Sequence, residues 1–169
     1  DASGGTDSDY DDSETTGDRD GISAMVKYAG KAGGAKYSLG IGYSQVDTGS
    51  VTEDGWNVGV VVSQGAYTVA AFSAEEDTGS GAKNTDAGAS IKYQMSKSTA
   101  VSLQYGVAVN EATNGNDDET TIVTAGYSQK LGGGVSLEGS IFSVDIDNDS
   151  NSSQNISEMG IAGGFKVKF

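Results

Sequence analysis

The chain ends in the stretch Met159-Gly-Ile-Ala-Gly-Gly-Phe-Lys-Val-Lys-Phe169. Every second residue from Met159 onward is apolar or glycine, and the residues between them are small or cationic. Because successive side chains of a β-strand point to opposite faces, this alternation predicts a strand with one apolar face. The aromatic ring of Phe169 would lie at the end of that face.

The same alternation recurs along the chain and predicts nine strands in all. Their apolar sets run over 22–28, 37–43, 56–62, 67–71, 87–95, 101–109, 123–127, 135–141 and 159–169. A soluble sandwich also alternates, but its apolar faces must fill a core about 10 Å thick. The sequence offers no second apolar set for such a sheet to pack against. The pattern therefore predicts an all-β protein, a transmembrane antiparallel up-and-down β-barrel.

Composition excludes several classes of function. The chain has 169 residues, enough for one domain, with 26 Gly and no Pro, Cys or His. The absence of Pro suits long strands, whereas the absence of Cys and His rules out disulfides, thiolate metal sites and mechanisms that need a histidine base. No paired carboxylates indicate hydrolysis, so we expect no enzyme. The net charge of −14 argues against nucleic acid as a partner.

Charge divides the connections between strands into two kinds. All acidic residues except Glu138 lie in residues 1–20 or in the long connections 46–55, 75–86, 111–119 and 145–158. Lys31, Lys97 and Lys130 lie in or beside short connections. Membrane barrels have short periplasmic turns and longer extracellular loops. We therefore expect extracellular acidic loops, a periplasmic C-terminus, an acidic extracellular loop over 1–20, and a barrel domain over 21–169.

Aromatic residues on the apolar faces gather at the two ends of the strands. This distribution predicts the aromatic girdles with which membrane barrels meet both interfaces. At the short-turn end they are Tyr28, Tyr37, Tyr67, Tyr93, Tyr127, Phe165 and Phe169, and at the long-loop end Tyr43 and Trp56.

The opposite faces of the strands are polar or small and are the candidate pore lining. Five lysines near the short-turn ends would form a cationic belt that biases ion passage. The candidate lining residues are Lys27, Lys36, Lys92, Gln94, Gln104, Glu138, Lys166 and Lys168. The alternative is that these charges are merely solvated at a rim.

The acidic connections are candidate binding sites for Ca²⁺ or Mg²⁺. Asp145, Asp147 and Asp149 offer oxygen ligands at alternate positions. The EF-hand pattern fails, because Ser150 stands where glycine is needed and Ile156 where glutamate is needed. A solvated acidic loop is the alternative, and no other cofactor is expected.

An odd strand count has a consequence for the size of the barrel. If the ninth strand runs toward the short-turn side, the first must run the same way and begin extracellularly. Intact bacterial barrels have even counts and begin in the periplasm. We therefore expect the C-terminal part of a barrel of about sixteen strands, with about seven missing. The alternative is a closed eight-stranded barrel made of strands two to nine. The interior of such a barrel is filled by side chains, and the small inner residues here would leave part of it empty.

The chain resembles the C-terminal half of general diffusion porins of the alphaproteobacterial type. The stretches that carry the resemblance are Gly17-Asp-Arg-Asp-Gly-Ile-Ser23 leading into Lys27-Tyr28, Gly40-Ile-Gly-Tyr43, Asp54-Gly-Trp-Asn-Val-Gly59 and Gly163-Gly-Phe-Lys-Val-Lys-Phe169. The resemblance implies a homotrimer of sixteen-stranded barrels in the outer membrane of a Gram-negative bacterium, with a terminal Phe as assembly signature. Its pore wall is typically rich in Arg, whereas Arg19 is the only arginine here.

The favoured hypothesis is thus a water-filled channel for passive diffusion of small hydrophilic solutes and ions. Its partners would be membrane lipid and lipopolysaccharide. One alternative is a non-conducting outer-membrane barrel that acts as adhesin or receptor through its acidic surface loops. A second alternative is a soluble acidic β-protein.

Overall fold

The computed structural model describes residues 20–114, 116–149 and 154–168. Its nine strands confirm the nine predicted from alternation. They are β1 (Asp20–Ala32), β2 (Ala35–Asp47), β3 (Thr52–Gln64), β4 (Tyr67–Asp77), β5 (Lys83–Gln94), β6 (Thr99–Glu111), β7 (Asp117–Gly132), β8 (Val135–Asn148) and β9 (Ile156–Val167). Phe169 and residues 1–19, which make up nearly all of the proposed first loop, lie outside the described residues.

The strands form one antiparallel sheet in which each strand pairs with the next along the chain. The register is continuous except for a bulge between Lys130 and Gly132. Among the described residues β1 pairs only with β2, and β9 only with β8. The alternative of a closed eight-stranded barrel made of strands two to nine is therefore wrong, because β2 pairs with β1 and not with β9. Within the described ranges, the up-and-down sheet therefore has two free edges.

The two faces of the sheet differ in chemistry. We call the face that carries the large apolar alternation the outer face and the other the inner face; on β5, Ile91 is outer and Ser90 is inner. Among the described residues, Ala100 is the only hydrophobic residue that is buried, at 3% exposure, whereas Ile161 is 83% exposed. A sheet with no core on either face needs a non-aqueous neighbour for its apolar face, which a soluble protein would leave in water. No helix within the described ranges is long and apolar enough to cross a membrane.

The long connections are shorter in the structure than the sequence predicts. The strands leave only 48–51, 78–82, 112–116 and 149–155 between them at that end. Acidic residues assigned to loops lie on strands instead: Glu53 pairs with Val46, and Asp145 with Ser157. The predicted boundaries are wrong because apolar alternation marks only the part of a strand beside an apolar medium. The backbone ladder continues past that point, where both faces are polar.

Candidate pore wall

The inner face of the sheet is lined by small and hydroxyl-bearing side chains. Register pairs join inner residues into rows across the strands, and one row includes four glycines. From β1 to β9 this row is Lys27, Gly40, Gly59, Phe72, Gly88, Gly106, Ile122, Val144 and Glu158. Next to it, β4–β9 enclose a trough of about 760 Å³ with Gln104, Thr124, Ser102 and Ser140 in its lining. The inner face is therefore open and mostly small or polar, although the row also contains Phe72, Ile122 and Val144.

The inner face carries large apolar residues, such as Ile122 and two phenylalanines, which contradicts the expectation that this face is only polar or small. Phe72 lies directly opposite Gly88, and Phe142 directly opposite Gly160. A Cβ atom added to Gly88 would lie 2.6 Å from the Phe72 ring, and one added to Gly160 would collide with the Phe142 ring. Each ring thus lies over a glycine, an arrangement that covers backbone and holds the ring against the wall. This pairing could be predicted only from the register of neighbouring strands, and the alternation within one strand does not give that register.

The five lysines of the predicted belt fall into two groups. Lys27 lies on β1 and Lys36 on β2, where Lys36 is directly opposite Lys31. A second group lines a concavity of about 420 Å³ at the short-turn end of β5–β9, together with Glu138 on β8. We call this concavity the basic basin; its lysines are Lys92, Lys130, Lys166 and Lys168.

Sequence reasoning missed Lys130 because it was assigned to a turn. The β7 strand extends to Gly132, and Lys130 pairs with the inner-face residue Ser136. Lys130 therefore shares the inner parity of Thr124, Gly126 and Ser128. Continuing the series Thr124, Gly126 and Ser128 by two residues would have predicted Lys130 on the inner face.

The other predicted lining residues occupy different surroundings. Gln104 pairs with Ser90 and Thr124 on the inner face and lines the trough. Gln94 lines the basic basin, but its amide Nε2 donates to the carbonyl oxygens of Ser96 at 2.7 Å and Thr99 at 3.0 Å. Gln94 therefore holds the β5–β6 turn as well as lining the basin.

Carboxylates occupy both faces at the long-loop end. The register places five on the inner face: Glu53, Glu76, Asp86, Asp118 and Glu158. The salt bridge between Lys83 and Glu75, 3.1 Å long, lies on the outer face at this end. Its hydrogen bond and charge raise the pKa of Lys83 above the ordinary value of 10.5. The inner face thus changes from acidic to basic along the strands.

The aromatic residues predicted as girdles lie on the outer face, apart from Phe169, which lies outside the described residues. At the short-turn end the rings of Tyr28 and Tyr37 lie 5.8 Å apart, and those of Tyr67 and Tyr93 stack at 4.8 Å. Tyr43 lies directly opposite Trp56 nearer the long-loop end. Tyr127 and Phe165 are also exposed on this face. Two ring pairs therefore join neighbouring strands at the short-turn end of the apolar band.

The candidate cation ligands do not converge. Asp145 and Asp147 share the outer face of β8, whereas Asp149 follows the end of that strand. Ser157 donates to Asp145 at 2.6 Å, and Asn155 donates to Asp147. In the part of the chain that the structure describes, no group of three or more His, Cys, Asp or Glu residues could hold a metal ion. Hydroxyl and amide donors therefore hydrogen-bond to two of the three carboxylates, Asp145 and Asp147.

Two solved structures share this architecture. The anion-selective porin from Comamonas acidovorans matches with a TM-score of 0.61 at 17% identity, covering 85% of this chain and 48% of the porin chain. OmpT, an outer membrane protein of Vibrio cholerae, matches with a TM-score of 0.58 at 16% identity, covering 86% of this chain and 55% of OmpT. This chain therefore spans about half the length of the solved barrels that it matches.

A search of curated proteins gives no significant match. A comparison with family models gives a more specific result than the solved structures do. The model of the Gram-negative porin family matches residues 1–151, most of the sequence and eight of its nine strands. Membership of this family indicates an outer-membrane location. From the barrel sheet, the open inner face and this match, we conclude that the chain belongs to the Gram-negative porin family.

Proposed function

We propose that the protein forms a water-filled channel through which small hydrophilic solutes and ions diffuse passively. The observation that carries this proposal is the inner face. One row across its strands includes Gly40, Gly59, Gly88 and Gly106, and the Phe72 ring lies over Gly88 instead of projecting away from the wall. Because few side chains of this wall project far from the sheet, the lumen beside it has room for water.

The mechanism is a low-energy aqueous path across an apolar membrane. Hydroxyl, amide and ammonium groups of the wall exchange hydrogen bonds with the solute's hydration shell, so a solute crosses without losing its water. Pore diameter and lining charge then set which solutes pass. This is the behaviour of a general diffusion porin, the type to which the resemblance in sequence also points.

The complete pore requires more strands than the nine in the sheet. The free edges of β1 and β9 carry backbone groups that a bilayer cannot satisfy, so a stable barrel needs further strands to pair with them. We propose a sixteen-stranded barrel, assembled as a homotrimer, to which this chain contributes the C-terminal strands. The acidic end would be extracellular and the short-turn end periplasmic.

Divalent cations are proposed as a link between the acidic end and lipopolysaccharide. Asp47, Glu75 and Asp145 lie on the outer face beyond the apolar band, where lipid phosphates are expected. Ca²⁺ or Mg²⁺ would bridge these charges weakly and collectively, without a built site. Calorimetric titration of the detergent-extracted protein with Ca²⁺ tests this idea, and an absence of binding heat would remove it.

Single-channel conductance tests the proposed channel. Native protein extracted with detergent and inserted in a planar bilayer should give large ohmic steps in multiples of three. Gly106→Trp should reduce the conductance, because a Cβ there projects from the inner face and meets only the Ala87 carbonyl at 3.9 Å. Gly139→Trp on the outer face is the matched control and should leave conductance unchanged. If no steps appear, the non-conducting receptor hypothesis replaces the channel.

A further inference from the structure

The basic basin contains more positive charge than its surroundings neutralise. Lys92, Lys130, Lys166 and Lys168 line it with Glu138 as the one carboxylate. Among the described residues the only salt bridge joins Lys83 and Glu75 at the opposite end of the sheet. Within the described residues, the lining of the basin therefore carries a net charge of three positive units.

The register explains why the lysines gather there. Lys130 and Lys166 both lie opposite Ser136, one on each side of it. Two strand spacings separate them, about 10 Å, and Lys168 follows Lys166 by about 7 Å along the same face. Long flexible side chains at these spacings can direct their ammonium groups toward one bound ion.

The basin also supplies hydroxyl donors. Ser128 lies directly opposite Glu138, and Ser136 lies between the two lysines. Both serines line the concavity, and neither hydroxyl makes a hydrogen bond to another described residue. The ammonium group of a lysine attracts phosphate through its positive charge. Serine hydroxyls can donate hydrogen bonds to the phosphate oxygens that the lysines do not contact. Chloride could use the charge but would gain less from the hydroxyls.

We propose that the basic basin is a binding subsite for divalent oxyanions, either inorganic phosphate or the phosphate group of a small solute. This inference rests on the proposed channel, because solutes would reach the basin from the lumen. Glu138 opposes the anion and reduces its affinity, so an ion is held briefly and released. A saturable site of this kind concentrates phosphate in the pore without stopping its passage.

The test measures how phosphate reduces chloride current through the reconstituted native protein at an ionic strength of about 0.1 M, where the screening length is about 10 Å. Wild-type channels should show saturable reduction of the current by inorganic phosphate. In Lys130→Gln/Lys166→Gln the half-saturating concentration should rise by about tenfold or more, because two short-range attractions are lost. Glu138→Gln should lower it. Glycerol phosphate in place of phosphate distinguishes an ester ligand from the free ion.

The matched control removes two lysines from the same face and the same end. Lys31 and Lys36 lie opposite each other on β1 and β2, outside the basin. Lys31→Gln/Lys36→Gln should change the half-saturating concentration by no more than about twofold, since distant charges are screened. Equal effects of the two double variants, or a reduction that never saturates, would overturn the subsite and show only a diffuse field.

The outcomes separate this inference from the channel itself. Conductance steps that phosphate does not affect would overturn the basin and leave the channel intact. An absence of steps would overturn the channel, and calorimetry of the same preparation with inorganic phosphate would then decide the basin alone. Binding heat that Lys130→Gln/Lys166→Gln abolishes would support it, and no heat would overturn it.

Discussion

The short-turn end and the long-loop end of the sheet carry opposite chemistry on the same strands. On β5, Lys92 and Tyr93 lie near the short turn, whereas Asp86 and Lys83 lie toward the long connection. At the short-turn end the outer face is aromatic and the inner face basic; at the other end both faces are charged. This difference shows that the backbone hydrogen bonds between strands are the same in the apolar band and at the charged end. Only the type of side chain differs between the two regions.

The largest expected effect comes from moving a charge between the two ends of one outer face. Ile91→Lys in the apolar band should destabilise the folded protein by about 2–4 kcal/mol, because the ammonium group would face hydrocarbon. Thr85→Lys, on the same strand and face near the long connection, should cost about 0–1 kcal/mol. Urea unfolding in lipid vesicles measures both. Equal costs would mean that the outer face at Ile91 does not meet lipid.

The next effect tests whether connections at the two ends are equally ordered. Gly134 in the β7–β8 turn and Gly79 in the β4–β5 connection have φ of 79° and 69°. An added Cβ would collide with the Lys168 carbonyl at the first and the Thr52 carbonyl at the second. Each substitution to Ala should destabilise by about 1–3 kcal/mol. A negligible cost for Gly79→Ala alone would favour the longer loop over 75–86 that the sequence predicted.

A smaller effect is expected on ion selectivity, with opposite signs at the two ends. Lys27→Gln/Lys36→Gln/Lys92→Gln should shift the reversal potential in a salt gradient toward cations. Neutralising the inner carboxylates at the other end should shift it toward anions; the variant is Glu76→Gln/Asp86→Asn/Glu158→Gln. Both shifts should weaken as salt rises, because the screening length is about 10 Å at 0.1 M. Two shifts of the same sign would refute the charge gradient.

The smallest effect concerns the salt bridge of the acidic end. Glu75 raises the pKa of Lys83, so the stabilisation is complete below the unfolded pKa near 10.5 and is lost as pH rises through the higher folded value. Both side chains are partly exposed, so Lys83→Gln should leave the thermal midpoint unchanged near neutral pH. A midpoint that falls clearly at neutral pH would show that the acidic end depends on this cation.

How much could be predicted differs between the backbone and the site. Alternation predicted all nine strands, because side-chain polarity with period two follows directly from strand geometry. It stopped short at the long-loop end, where Asp145 and Asp147 continue the ladder with polar side chains. Charge segregation correctly separated the two ends of the sheet. The Ca²⁺ or Mg²⁺ hypothesis rests on oxygen ligands at alternate positions and stays a prediction. The hydrogen bonds from Ser157 and Asn155 to two of these carboxylates could not be predicted from that spacing.

The sequence by itself determined the strands, their two faces, and which end is acidic, because each of these is a property of neighbours along one chain. The tertiary structure decided which residues of different strands meet. It placed Phe72 over Gly88 and Phe142 over Gly160, and it brought Lys130 and Lys166 to either side of Ser136. These contacts depend on register, which is fixed by turns and hydrogen-bond pairing between strands and is not encoded by the alternation within any one of them.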